Sequence, residues 1–125
     1  MANSQFRSRK KVSGTRYVDN RKARASDMAG IPALTSISEK TKVKVKRTMG
    51  GNVKAQVLRT DSVFVTIEGK VEKLAIQSVE NNPANIHFTR RNVITKGAIL
   101  KTEKGSVKVT SRPGQSGTIM GILLQ

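Results

Sequence analysis

From Lys42 onward the chain is written in short runs in which apolar residues take every second position. Lys42-Val43-Lys44-Val45-Lys46, then Val53-Lys54-Ala55-Gln56-Val57, then Val63, Val65 and Ile67 all follow this rhythm. A period of two built from β-branched residues predicts half-buried strands, here with Val43 and Val45 turned to a core and the three lysines turned away. Gly50-Gly51-Asn52, Thr60-Asp61 and Glu68-Gly69-Lys70 separate these runs. Each separator is short enough for a hairpin or tight connection, so the topology reads as a meander. Residues 71–79 supply a fourth strand, the stretch 80–85 with Pro83 breaks it, and a polar, basic loop runs on to Asn92. Residues 93–102, 106–110 and 118–124 repeat the pattern around turns at 103–105 and 111–117. In the second turn Pro113 presets φ, and Gly114 is expected in the left-handed position. Many short strands punctuated by Gly and Pro predict an all-β fold, a small antiparallel barrel-like core that hides its edges by closing.

Before Pro32 the rhythm is absent. Phe6, Val12, Tyr17, Val18 and Met28 follow neither a period of 2 nor one of 3.6, while Arg and Lys recur throughout. Such a segment cannot bury enough surface alone to offset its ordering entropy, which predicts a largely irregular extension. One stretch differs: Asp19 or Asn20 suits a helix N-cap, Gly30 a helix end and Pro32 a stop, predicting a short helix near residues 20–29. The domain reading is therefore a basic extension over 1–38 and a barrel core over 39–125.

Charge sharpens this division. The chain has 125 residues and a formal net charge of +16, with 24 Lys and Arg against 8 acids. Residues 1–47 hold 13 basic and 3 acidic residues, a balance of +10, and residues 48–125 hold 11 and 5, a balance of +6. Self-repulsion at this density weakens a compact state, so the composition makes physical sense if a polyanion neutralises it, and nucleic acid is the first candidate. The chain has no Cys, which removes disulfides, a thiol nucleophile and thiolate zinc sites. The first thirty residues contain no apolar leader core, and the longest apolar run, 119–124, falls far short of the about 20 residues of a membrane helix. A soluble, unprocessed chain with no membrane contact is expected.

Several clusters offer chemistry suited to RNA. Lys42, Lys44 and Lys46 share one strand face with no acid nearby in sequence; a solvated face would explain them, but their mutual repulsion favours phosphate contact. Arg47, Gly51, Asn52 and Lys54 surround a glycine pair whose backbone amides can point at a phosphate, and a plain hairpin turn explains the same residues. His87, Phe88, Arg90, Arg91 and Asn92 combine ring faces, guanidinium forks and an amide. For His87 and Phe88 the readings of surface residue and core anchor are preferred, leaving the arginine pair as the stronger candidates. In the extension, Arg7, Arg9, Lys10, Lys11, Arg16, Arg21, Lys22 and Arg24 are candidate phosphate ligands. Catalysis finds no support: His87 is the sole His, the acids are scattered, and no triad or metal-ligand spacing occurs. No cofactor, metal or small-molecule substrate is expected.

Ser13-Gly14-Thr15-Arg16-Tyr17, the run from Arg47 to Lys54, Arg90-Arg91-Asn92-Val93-Ile94-Thr95-Lys96-Gly97 and the run from Thr110 to Gly117 stand in this order across nearly the whole chain. Together they resemble the family of eukaryotic-type protein eight of the small ribosomal subunit, which occurs in archaea and eukaryotes and not in bacteria. The short chain is similar to the archaeal version. The resemblance implies a β-barrel-like core, a basic N-terminal extension lying against ribosomal RNA, neighbouring small-subunit proteins as partners and no enzyme activity. Carried over by position, it implies RNA contact by Ser13, Gly14 and Arg16, by Arg47, Gly51, Asn52 and Lys54, and by Arg90, Arg91, Asn92 and Lys96, with Arg112 added. The chain departs from the family where Glu-Leu-Gly-Arg usually precedes a Pro: Asp27-Met28-Ala29-Gly30-Ile31-Pro32 lacks that Arg. The expected function is a structural constituent of the cytoplasmic small ribosomal subunit that binds and stabilises ribosomal RNA. Two alternatives stand beside it, a ribosome-assembly factor sharing the core and a basic chromatin-type DNA-binding protein.

Overall fold

The structure, a computed structural model, describes residues 8–22, 24–27, 30–67 and 69–124. Two compact units divide the chain, Met1–Pro32 and Ala33–Gln125. The division falls at 32/33 and not at the 38/39 boundary suggested by composition, because the intervening residues include a strand of the larger unit. In chain order the larger unit contains β1 (Thr35–Ile37), β2 (Lys42–Arg47), β3 (Val53–Thr60), β4 (Ser62–Ile67), β5 (Lys70–Asn81), α1 (Ile86–Arg90), β6 (Val93–Ile94), β7 (Ile99–Thr102), β8 (Gly105–Val109), α2 (Pro113–Ser116) and β9 (Met120–Leu123).

The all-β expectation holds. Strands β4-β5-β7-β8-β9 form a closed barrel, and a separate four-stranded sheet has the order β2-β3-β1-β6. The barrel is not wholly antiparallel: β9 joins β4 in parallel, with Phe64 opposite Met120 and Thr66 opposite Ile122. Alternate residues of these strands point inward, so Val63, Val65, Leu74, Ile76, Val79, Leu100, Val107 and Val109 fill the core together with Ile94, Ala98 and Ile119.

Four local expectations are corrected. The meander stops at Asp61, where the chain leaves one sheet for the other; the Thr60 hydroxyl accepts the Ser62 N–H at 3.3 Å and the Asp61 carbonyl accepts the Ile76 N–H at 2.8 Å. The run 93–102 is two strands, since β6 pairs with β1 and β7 with β5, and a turn at Lys96-Gly97 carries the chain between them. The loop before Asn92 contains α1, capped by the Asn85 side chain, which accepts the His87 N–H at 2.9 Å. In the turn over 111–117 the left-handed residue is Gly117, the C-cap of α2 with φ 74°, and not Gly114. A Cβ at Gly117 would stand 2.7 Å from the Ala55 Cβ, so α2 packs against β3 at a distance only glycine allows.

Asn82 joins barrel and sheet. It is 3% exposed; its amide donates to the Val93 carbonyl at 2.9 Å and its oxygen accepts from the Thr95 hydroxyl at 2.9 Å and the Ala84 N–H at 3.1 Å. Asn82→Ala strands these partners in a buried setting and is expected to lower unfolding stability by about 2–3 kcal/mol. Urea denaturation that returns less than about 1 kcal/mol would assign the junction to packing alone.

The smaller unit is less irregular than its composition suggests. Lys10 and Arg16 form an antiparallel bridge, the Lys11 N–H donates to the Thr15 carbonyl at 2.8 Å, and the Tyr17 N–H donates to the Arg9 carbonyl at 3.1 Å. Lys11 Nζ lies 5.7 Å from the Tyr17 ring centroid, within cation–π range. Among the described residues the helix expected near 20–29 is reduced to one 3-10 turn, Ala25–Asp27; Ala23, Met28 and Ala29 lie outside them.

Candidate nucleic-acid interface

The β2–β3 hairpin brings the central cations together. Cross-strand pairing sets Lys46 opposite Lys54, Lys44 opposite Gln56 and Lys42 opposite Arg59. Directly opposed residues share a sheet face, so Lys42, Lys44, Lys46, Lys54 and Arg59 form one cationic surface. Neither strand carries an acid, and all five cations are exposed. Arg59 is the member that period-two reading misses. Simple alternation puts it on the Val57 side, but a bulge at Leu58 shifts the register between Val43 and Lys42 and returns it to the lysine side.

The valine face corrects a prediction. Every residue of β2 is exposed, Val43 and Val45 included, although both were expected to face a core. The reason is the position of β2 at the sheet edge; α2 packs against the neighbouring strand β3, where Gly117 approaches Ala55. Arg47 pairs with Val53, so by alternation it lies on this valine face, apart from the lysines.

At the hairpin tip the Thr48 N–H donates to the Asn52 carbonyl at 2.7 Å, and the Asn52 amide donates to the Met49 carbonyl at 3.1 Å. Gly50 and Gly51 hold φ 72° and 75°, in the left-handed region, so the glycine pair fits a tight turn whose exposed backbone closes the cationic strands. Asn52 therefore has a structural bond at the site where a phosphate contact is expected.

A second group lies on α1 and just after it. His87, Arg90 and Arg91 line one shallow depression, and all three are exposed, whereas Phe88 is half-buried. Asn92 adopts φ 49°, and its side-chain oxygen accepts the Val79 N–H at 3.2 Å, tying the end of α1 to β5. Lys96 is exposed in the turn before β7. Arg112 is the exposed N-cap residue of α2, whose Ser116 bridges to Ala55 of β3.

In the smaller unit Arg9, Lys10, Lys11 and Arg16 are exposed around the turn that Ser13 and Gly14 build. Lys22 and Arg24 are exposed as well, and Arg7 lies outside the described residues. Arg21 differs from these: its guanidinium grips Asp27 with both nitrogens, at 2.7 and 3.3 Å, while the Arg24 N–H donates to the same carboxylate at 3.0 Å. The hydrogen bonds from Arg21 and then from the Arg24 backbone hold the Asp27 carboxyl below the usual carboxylate range, so the clasp is closed at neutral pH. One face of the Arg21 fork is thereby occupied within the chain. In the barrel, Lys104 pairs with Glu72 and Ser106 donates to Glu80 at 2.9 Å, so acids sit among the barrel strands. Among the described residues no group of His, Asp and Glu gathers as a metal site.

Residues 4–124 match the family described as Ribosomal protein S8e. Proteins named "Small ribosomal subunit protein eS8" are similar over almost their full length. Those of Methanococcus aeolicus and Methanobrevibacter smithii are both 43% identical, over 96% of this chain and 95% of the relative, and over 99% and 100%, respectively. That of Methanospirillum hungatei is 40% identical over 97% of this chain and 98% of the relative. With the profile and these archaeal relatives spanning the smaller unit, the hairpin and the barrel alike, the chain belongs to the Ribosomal protein S8e family.

Proposed function

We propose that this protein is a structural constituent of the small ribosomal subunit in the cytoplasm, where it binds and stabilises ribosomal RNA beside neighbouring subunit proteins and catalyses no reaction. The acid-free face of Lys42, Lys44, Lys46, Lys54 and Arg59 is the observation that carries this reading. Five cations fixed on a two-stranded ribbon present a charge spacing set by the backbone, so they suit the regular phosphates of an RNA strand. Association releases condensed counterions, and backbone shape matters more than base identity. The exposed cations of the smaller unit and the Arg90–Arg91 pair add further phosphate contacts, and ordering of the basic segment on RNA is offset by charge pairing.

Sucrose-gradient fractionation of native lysate at low and high salt, followed by mass spectrometry, tests the reading. Stoichiometric cosedimentation with mature small subunits and translating ribosomes is expected. Restriction to precursor particles would replace it with an assembly role, and cofractionation with DNA would replace it with a chromatin role. The position of β1 refines a truncation experiment. Thr35 is buried, and its hydroxyl donates to the Val57 carbonyl at 2.6 Å, so a cut after Ile37 removes a strand of the core. A chain beginning at Ala33 is expected to fold with a native circular dichroism spectrum and to bind small-subunit RNA at least about tenfold more weakly. Undiminished affinity of that chain would remove the smaller unit from the RNA-binding surface.

A further inference from the structure

Among the described residues strand β2 forms one edge of the four-stranded sheet and pairs only with β3. In an antiparallel ladder alternate residues direct N–H and C=O toward the partner, so half of the backbone groups over Lys42–Arg47 point outward from the sheet. The opposite edge, β6, is short and both of its residues are buried. On β2, by contrast, Val43 is 43% exposed and Val45 66%, with Val53 beside them at 61% and Met49 at the tip at 92%. An exposed edge six residues long, with an apolar row on one face, is an invitation to strand pairing.

We propose that this edge receives an extended segment of a neighbouring protein in which acidic and apolar residues alternate, lengthening the sheet by one strand; the proposal rests on the ribosomal reading above for the presence of such neighbours. Three features select this occupant. The outward backbone groups require a strand, because they need a ladder of donors and acceptors. The lysine row requires acids directly opposite Lys42, Lys44 and Lys46, since opposite charges across a ladder attract and like charges repel. That same repulsion rejects a second copy of β2, whose lysines would face these. Finally, Val43 and Val45 require apolar partners on the other face. Phosphates satisfy the lysines but leave the valines and the ladder unfilled; a protein strand at the edge fills both and shares Lys42, Lys44 and Lys46 with RNA over the lysine face, while Lys54 and Arg59 on β3 stay one strand away from it. The added strand spans about 20 Å, and its modest intrinsic affinity is raised by the other contacts that hold both proteins in one particle.

The test titrates full-length, isotope-labelled protein with a short capped peptide alternating Glu and Val, about six residues long to match β2. Amide shifts and hydrogen exchange report the binding. Alternate amides over 42–47 are expected to exchange at least about tenfold more slowly in the complex. A peptide N-methylated at every second residue keeps its charge and loses ladder donors, and is expected to bind at least about tenfold more weakly. A Lys-Val peptide is expected not to bind. Equal binding by the N-methylated peptide would show charge attraction without pairing, and unchanged β2 amides at saturating peptide would show no docking; either overturns the proposal. The same sample is titrated with a small-subunit RNA fragment. RNA binding that protects the outward β2 amides, with the peptide silent, would give the edge to RNA and overturn the docking proposal while leaving the ribosomal reading intact; absent RNA binding would count against the ribosomal reading by itself.

Discussion

Alanine at Lys42, Lys44 and Lys46 together is expected to flatten the salt dependence of binding to small-subunit RNA, lowering the slope of log affinity against log salt by about 3. Affinity at moderate salt falls by on the order of tenfold to hundredfold. The three side chains are exposed, so their loss leaves no cavity and no stranded buried partner. Thermal stability should stay within about 0.5 kcal/mol of the parent, which separates a binding defect from a folding defect. The matched control removes Lys70, Lys73 and Lys104, equal in charge but located on β5 and at the β7–β8 turn, where Lys104 already meets Glu72. If both triples flatten the slope equally, binding follows net charge, and the hairpin has no special place in it.

Gly121→Ala is expected to unseat barrel closure. Gly121 sits in β9 between Val65 of β4 and Val109 of β8, the one strand that holds both sides of the seam. A methyl there would run into the Val107 side chain and come within 2.9 Å of the Lys108 carbonyl oxygen. The carbonyl belongs to the strand backbone, so relief requires the ladder itself to shift. Overpacking of this kind costs about 2–3 kcal/mol, and in a domain of this size that lowers the melting temperature by about 10–20 °C. Gly114→Ala is the control, because a methyl at that position meets only the Ala33 Cβ, at 3.9 Å, and its φ is ordinary. Calorimetry that finds the two variants alike would mean the seam has slack that the close approach at Gly121 does not show.

The strands were legible where the chain alternates, as in 42–46, 53–57 and 63–67, because side chains on a strand take opposite faces whatever surrounds them. What fills the space beyond a face is not written locally. Val43 and Val45 carry the signature of buried residues, yet they stand in the open because β2 is the edge strand of its sheet, a position set by pairings with distant parts of the chain. Thr35-Ser36-Ile37 shows no period, and becomes a strand only because β3 and β6 flank it. The parallel seam between β4 and β9 has no short-range turn to announce it, unlike the hairpins. The same logic holds for the candidate interface. The lysine row follows from alternation, whereas the entry of Arg59 depends on one bulged residue, and the engagement of Arg21 with Asp27 joins positions that no helical or strand spacing relates.

The seam also dictates an order of events during synthesis. β4 is translated early in the core and β9 last among the strands, so neither β4 nor β8 has its final neighbour until the end of the barrel has emerged. Until then the nascent chain carries open strand margins and a core without its lid, on a polypeptide already dense in positive charge. Long-range pairing of this kind is slow to form and prone to wrong partners in the interval. A polyanion that engages the early cationic segments would keep unfinished copies apart by spacing and charge while the last strand arrives.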